Sequence, residues 1–205
     1  MLKHQIKVAY WDTETGQQPP AALGQIQGTP TIKLFFPQKK SRKNAKKSVD
    51  YNGPRELKPM VKFAVEYMPN FVEKVEGVSG HAKFAAKAES NGLPKVLLFS
   101  KSKGTKPLIK ALSSVFRRRL LIGEVRSTKP NKELIGRFGV SSYPTLMLIG
   151  DEGSDPTVFE KKPTFNRLKN FLDSHALKKP VSKKDKAEKR KRAEAAGQAE
   201  TKEEL

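Results

Sequence analysis

Ile26–Leu34 reads Ile-Gln-Gly-Thr-Pro-Thr-Ile-Lys-Leu, and Val140–Leu148 reads Val-Ser-Ser-Tyr-Pro-Thr-Leu-Met-Leu. Each stretch passes through a Pro-Thr pair into an apolar segment that is typical of a β-strand. Pro30 and Pro144 are separated by about the length of one small domain. The chain has 205 residues, so it has room for a duplicated unit, and a repeat at this spacing predicts two related domains.

The second half of the chain alternates between short apolar strands and helices with one apolar face. The predicted elements are a strand at Phe71–Val75, a helix at Ala82–Ala88, a strand at Lys95–Phe99, a helix from Pro107, a strand at Leu120–Val125, a helix at Lys132–Phe138, strands at Thr145–Ile149 and Thr157–Phe159, and a helix at Thr164–His175. This alternation predicts an α/β sheet with one antiparallel end. In the helix from Pro107, we expect the inward-facing side chains to be Leu108, Leu112, Val115 and Phe116.

The first 70 residues show a shorter pattern of the same kind. We predict strands at Ile6–Trp11, Thr31–Phe36 and Val49–Tyr51, because these segments are rich in β-branched and aromatic residues. A helix follows, and it begins at Pro54 or at Pro59, since proline is tolerated in the first turn of a helix. The predicted domains are therefore residues 1–70 and residues 71–177.

The charge is strongly positive, with 41 Lys and Arg residues against 21 Asp and Glu, for a formal net charge of +20. A field of this sign favours acidic partners such as nucleic acid, anionic lipid or acidic protein, without choosing among them. Residues 178–205 consist mainly of Lys, Glu, Ala and Arg, so we predict a disordered basic tail. The basic clusters are Lys39–Lys47, Arg117–Arg119 and Lys189–Arg192.

The element order of residues 71–176, with Tyr143-Pro144-Thr145 just before the fourth strand, resembles a thioredoxin-like domain of the protein disulfide isomerase family. In that family the proline at this position is cis, and its loop faces a Cys-x-x-Cys site. The resemblance implies a cis bond between Tyr143 and Pro144. The family's cysteines would fall in Ser100–Thr105, which holds none, so this domain resembles the family's redox-inactive modules.

Residues 1–70 resemble only the second half of the same fold. Val8–Asp12 is similar to the family's third strand, Gly28–Thr31 to its proline loop, and Asp50–Arg55 to its fifth strand and the start of its last helix. The resemblance therefore implies one incomplete and one complete thioredoxin-like domain. We expect the sequence to be an N-terminally truncated form of a small two-domain lumenal protein whose catalytic half-domain lies upstream.

The sequence contains no cysteine, which decides what chemistry its own side chains can perform. The family is one of thiol-disulfide oxidoreductases and isomerases, and disulfide exchange requires an attacking thiolate. This chain cannot carry out that reaction unaided, and we identify no catalytic residue. His4, His81 and His175 are isolated from one another in sequence, so we predict no metal site and no cofactor.

The two proline loops are the candidate binding residues. A peptide in extended conformation can pair with the backbone beside such a proline, as an added strand. The candidates are Thr29 with Pro30 and Tyr143 with Pro144, the second of which offers an aromatic face. The alternative is that both loops only turn the chain into a strand.

The C-terminal residues Lys202, Glu203, Glu204 and Leu205 resemble the Lys-Asp-Glu-Leu retrieval signal of the endoplasmic reticulum. This match implies the endoplasmic reticulum lumen and a retrieval receptor as a partner, although Met1–Ile6 lacks the apolar core of a signal peptide. No apolar run of the sequence has the length of a membrane span.

Two hypotheses for function follow. The first is a disulfide-isomerase-like protein involved in protein folding, of which this chain is a non-catalytic module that binds or holds unfolded client polypeptides. The alternative is a basic nucleic-acid-associated protein that uses the thioredoxin-like fold as a scaffold. The basic clusters lack the interleaved aromatic residues that stack on bases, so they predict weak, salt-sensitive polyanion binding.

Overall fold

The computed structural model describes residues 2–37, 46–150 and 154–182. The chain divides between Asn70 and Phe71 into two compact units, and the alternating sequence pattern begins at the same point. The C-terminal residues 202–205 of the retrieval-like motif, most of the cluster Lys39–Lys47 and all of Lys189–Arg192 lie outside the described residues.

The first unit is a two-stranded ribbon with one helix. Strands β1 (Lys33–Pro37) and β2 (Lys46–Asp50) pair antiparallel, and helix α1 (Leu57–Glu66) follows. Lys33 faces Asp50 in this register, and the two side chains form an ion pair with Nζ and Oδ1 2.6 Å apart. A single 3-10 turn at Ala21–Leu23 precedes the ribbon.

The predicted strand at Ile6–Trp11 is wrong. The segment has no regular structure, and the side chains of Val8 and Tyr10 are 94% and 95% exposed. A strand exists only where a neighbour accepts and donates its backbone hydrogen bonds. Among the described residues, β1 pairs with β2 alone, and no strand lies alongside Ile6–Trp11.

The apolar contacts of the first unit are aromatic and partly exposed. Phe63 lies between Tyr51 and Tyr67, at centroid distances of 4.9 and 4.8 Å, and Tyr67 is 5.2 Å from Phe36. No described residue of this unit is buried, in contrast to the second unit. The aromatic cluster therefore stabilises the ribbon against α1 without a closed core.

The second unit is a five-stranded mixed sheet with helices on both faces. Its elements are β3 (Glu73–Val75), α2 (Gly77–Asn91), β4 (Lys95–Ser100), α3 (Pro107–Val115), β5 (Leu121–Arg126), α4 (Lys132–Arg137), β6 (Thr145–Ile149), β7 (Thr157–Val158) and α5 (Phe165–His175). The strand order is β3-β5-β4-β6-β7. Strands β3, β5 and β4 run parallel, β6 runs antiparallel to β4, and β7 runs antiparallel to β6. The predicted element order and the antiparallel end are confirmed, and this arrangement is the thioredoxin-like fold.

Two apolar clusters cover the two faces of this sheet. On one face, Leu98 and Ile122 pack with side chains of α3 and α5, among them Leu112 and Leu172. On the other face, the core side chains are Val75, Phe84, Leu97, Phe99, Val125, Leu134 and Met147. Successive residues of β4 thus alternate between the clusters, as the side chains of a strand must.

The inward face of α3 differs from the predicted one. Leu112 and Phe116 are fully buried as expected, but Ile109 is 6% exposed and Val115 is 43% exposed. Ile109, Leu112 and Phe116 follow the spacing of three and four residues that keeps side chains on one helical face. Val115 lies outside that arc, so the prediction that Val115 faces inward is wrong.

The second unit extends beyond Leu177, where the sequence predicts the tail to begin. The N–H of Leu177 donates to the carbonyl of Arg119 at 3.0 Å, and the N–H of Val181 donates to Arg118 at 2.8 Å. Val181 is only 9% exposed. Packed chain therefore continues at least to Val181, while residues 183–205 lie outside the described part.

Candidate functional site

The two proline loops have the same internal construction. The Thr29–Pro30 and Tyr143–Pro144 bonds are both cis, as the resemblance implies for Tyr143–Pro144. In each loop the threonine after the proline donates its hydroxyl hydrogen bond to the carbonyl three residues earlier, Thr31 to Gly28 and Thr145 to Ser142, the latter at 2.7 Å. The threonine closes the turn around the proline.

The role of these threonines was missed at the level of sequence. The candidate residues from the sequence are Thr29, Pro30, Tyr143 and Pro144, although the repeat also contains a threonine directly after each proline. A short hydroxyl side chain that bonds the backbone three residues away is a frequent device for fixing a turn. The repeated Pro-Thr pair was therefore the available signal.

Tyr143 is the candidate residue whose side chain packs against an apolar core. Its half-buried ring packs against the cluster of Phe99 and Met147, while the neighbouring Pro144 is exposed. The ladder of β6 with β4 begins one residue beyond the proline, where Thr145 pairs with Phe99. Within residues 2–37, 46–150 and 154–182, the structure shows no hydrogen bond to the backbone N–H or carbonyl of Tyr143.

The Thr29–Pro30 loop has a different environment. Both residues are exposed, and the carbonyl of Pro30 already accepts a hydrogen bond from the Arg55 guanidinium at 3.0 Å. The ribbon that carries this loop belongs to the unit without buried residues. Two similar sequences therefore form two similar turns, of which only the second rests on a closed core.

A cationic loop lies beside Tyr143. The ammonium Nζ of Lys101 lies 5.0 Å from the centroid of the Tyr143 ring, within the range of a cation–π interaction. Lys101 belongs to the turn between β4 and α3, where the resemblance places the family's cysteines. This turn therefore presents cations where the family presents thiols.

Two buried polar groups hold this turn at its ends. The N–H of Ser102 donates to Ser100 Oγ at 2.9 Å, and the hydroxyl of Thr105 donates to Glu124 Oε2 at 2.6 Å. Ser100 is 4% exposed and Glu124 is 2% exposed. The second carboxyl oxygen, Glu124 Oε1, is buried and has no hydrogen-bond partner among the described residues.

Glu124 was not identified from the sequence as a site residue. The available signal was a single carboxyl group within the apolar run of β5, since buried acidic side chains are rare unless a partner stabilises them. Its partner Thr105 lies nineteen residues earlier in the chain, and that pairing depends on the parallel alignment of β4 and β5.

Two side chains of the arginine cluster Arg117–Arg119 contact other residues of the second unit. The Arg117 guanidinium lies 4.3 Å from the centroid of the Phe71 ring. Arg119 donates from Nε to the carbonyl of Leu177 at 2.7 Å and forms an ion pair with Asp173 at 3.1 Å. Hydrogen bonds from Lys169 and then from Arg119 lower the pKa of Asp173 from its ordinary value. These contacts hold Arg119 within the second unit, while Arg117 and Arg118 are exposed.

The histidines do not form a metal site in the described ranges. No group of three His, Cys, Asp or Glu residues that could hold a metal ion occurs in residues 2–37, 46–150 and 154–182. His81 instead meets the ring of Phe138 edge-on at 5.3 Å. Burial lowers the pKa of His81 from 6.5, and the charges of Lys95 and Arg137 lower it further.

In the same described residues, no helix combines the length and the apolar character that crossing a membrane requires.

Comparisons with known proteins show what the chain is similar to. No family model matches the chain. A candidate protein disulfide-isomerase of Dictyostelium discoideum is 33% identical over 162 residues, which cover 78% of this chain and 36% of that protein. Protein disulfide isomerase-like 2-3 of Oryza sativa is 24% identical, over 89% of this chain and 47% of that protein. The chain is similar in sequence to the protein disulfide isomerases. It spans between about a third and a half of the length of these two relatives.

Among solved structures, oxidized thioredoxin O1 from Arabidopsis thaliana matches 52% of this chain and 98% of its own, at 20% identity and a TM-score of 0.42.

Proposed function

We propose that this disulfide-isomerase-like chain is a non-catalytic module that binds extended segments of client polypeptides at Ser141–Thr145. The observation that supports this proposal most is the backbone of Tyr143, which makes no hydrogen bond within the described residues. An extended peptide satisfies such groups by adding itself as a strand. The ring of Tyr143 provides a partly exposed apolar surface at the same position.

The chemistry of the chain supports a binding role. Disulfide exchange requires a thiolate, and the 205 residues contain no cysteine. Strand addition requires only backbone groups and a side-chain surface. Because the relatives are two to three times longer than the matched part, we propose for this chain the binding step alone.

The experiment compares Tyr143→Ala with the unchanged chain in binding a fluorescein-labelled peptide of fifteen residues that lacks cysteine. Loss of one aromatic contact reduces the free energy of binding by about 1 kcal/mol, so we expect roughly fivefold weaker binding by fluorescence anisotropy. The ring of Tyr143 also packs against the core, so affinity is measured at a temperature where circular dichroism shows both proteins folded.

A matched control removes an aromatic side chain of the same kind elsewhere. Tyr10 is 95% exposed in the first unit, and Tyr10→Ala should leave the affinity unchanged. If Tyr143→Ala binds the peptide as tightly as the unchanged chain does, the proposed site is wrong.

We also propose that the chain acts in the endoplasmic reticulum lumen and meets a retrieval receptor there. The support is the C-terminal Lys202–Leu205, which lies outside the described residues. A secreted reporter that ends in residues 178–205 should be retained in cells, and removal of the last four residues should release it into the medium. Equal secretion of both reporters would contradict this localisation.

A further inference from the structure

The segments Ser100–Gly123 and Phe138–Gly150, which include Lys101 and Tyr143, contain no acidic residue. Between Ser100 and Gly123, every charged residue of the sequence is a lysine or an arginine, and Phe138–Gly150 contains no charged residue. The side chains of Lys101, Lys103 and Lys106 are exposed. Glu124, the acidic residue nearest in sequence to this stretch, is buried and bonded to Thr105, so it presents no negative charge at the surface.

The turn that carries Lys101 and Lys103 is anchored near both ends. Ser100 and Glu124 bond the turn at its two ends, and both anchoring side chains are buried. Lys101 lies over the ring of Tyr143, and Lys103 follows two residues later in the same anchored turn. Because the backbone of this turn is anchored, it loses less conformational entropy on binding than a free loop would.

We propose that this turn makes the Tyr143 site selective for acidic polypeptide segments, meaning extended segments with Asp or Glu beside an apolar residue. The proposal rests on the function proposed above and adds the chemical class of the ligand. The apolar residue lies against Tyr143, while the peptide backbone pairs with the backbone N–H and carbonyl of Tyr143. The flanking carboxylates lie beside Lys101 and Lys103, where opposite charges attract.

The test uses three labelled peptides of equal length with the same central Leu-Phe pair, flanked by Glu, by Gln or by Lys. Binding to the full chain is measured by fluorescence anisotropy at about physiological ionic strength. We expect the Glu peptide to bind roughly tenfold more tightly than the Lys peptide, with the Gln peptide between them. In the variant Lys101→Gln/Lys103→Gln, this difference should fall to about twofold.

The control variant Lys74→Gln/Lys83→Gln removes the same charge from exposed lysines on β3 and α2. Strand β3 forms the edge of the sheet opposite to β7, with β5 and β4 between it and β6. The control should keep the preference for the Glu peptide. An equal loss in both double variants would assign the preference to the net charge of the chain and overturn the proposal.

The remaining outcomes are distinguishable. Equal binding of the three peptides that still depends on Tyr143 overturns the acidic selectivity and leaves the proposed function in place. Binding that does not depend on Tyr143 overturns the proposed function itself. If a single-stranded oligonucleotide of fifteen nucleotides displaces the Glu peptide at equimolar concentration, the lysines recognise phosphate, and the selectivity for acidic polypeptide is overturned.

Discussion

Gly123 lies where the second unit tolerates no side chain, and Gly123→Ala should destabilise this unit. The residue is in the middle of β5, paired with Glu73 of β3 and with Leu97 of β4. A methyl group added to it would lie 2.8 Å from Leu97 Cδ2 and 2.9 Å from both Phe84 Cε2 and Val75 Cγ2. Carbon atoms in contact normally lie about 3.5–4.0 Å apart.

The magnitude follows from the freedom of these neighbours to move. Leu97, Phe84 and Val75 are 0%, 4% and 2% exposed, so each would have to retreat into a core that is already filled. Overpacking of this kind costs about 1–3 kcal/mol. Replacing glycine by alanine also reduces the entropy of the unfolded chain, which offsets about 0.4–1 kcal/mol. We therefore expect a net destabilisation of about 1–2 kcal/mol.

The assay is urea unfolding followed by circular dichroism, combined with hydrogen exchange of the β4 and β5 amides, which reports on the second unit alone. Gly136→Ala in α4 is the matched control, because a methyl group there has no atom within 4 Å. Alanine is the better helix former, so this control should be neutral or stabilise by about 0.5 kcal/mol. If Gly123→Ala proved as stable as Gly136→Ala, the close packing of α2 on β5 would be refuted.

Two further predictions concern pH and local stability. The pKa of His81 is lowered in the folded protein, so the unfolded chain takes up the proton at a higher pH than the folded chain does. The contribution of neutral His81 to stability is therefore complete above about pH 6.5, and it should be lost as the pH is lowered through the folded pKa. The urea midpoint of the second unit at pH 7.5 and 5.5 tests this, and His81→Phe should reduce the difference; an equal difference in the variant would refute the role of His81. The first unit contains no buried residue among those described, so its β1 and β2 amides should exchange faster than those of β4 and β5. Equal protection in both units would contradict this expectation.

The sequence was sufficient for the order of elements in the second unit, because each strand there is a short apolar run between segments with helical spacing. It was insufficient where position depends on a partner elsewhere in the chain. Ile6–Trp11 has the composition of a strand and forms none, since no described strand lies beside it. Ile109 and Val115 are both β-branched and apolar, and only the packing of α3 against the sheet decides which one is buried.

The candidate site shows the same division. Pro30 and Pro144 could be recognised from the sequence because both lie in a stretch that the sequence repeats. Thr105 and Glu124, which anchor the cationic turn, could not be recognised, because they come together only when β4 and β5 align. A buried carboxyl group in a strand is a local conflict in the sequence, and such conflicts indicate a tertiary partner that the sequence does not name.

The two proline loops finally show why similar sequence does not imply similar binding capacity. Thr31 and Thr145 close their turns by the same hydrogen bond, so the local geometry is common to both. The support differs, since Tyr143 packs on a core with Phe99 fully buried, while Thr29 lies in a unit with no buried described residue. A rigid loop loses less entropy when a peptide pairs with it, and this cost is subtracted directly from the affinity. Binding should therefore concentrate at Tyr143, even though both stretches carry the same Pro-Thr pair.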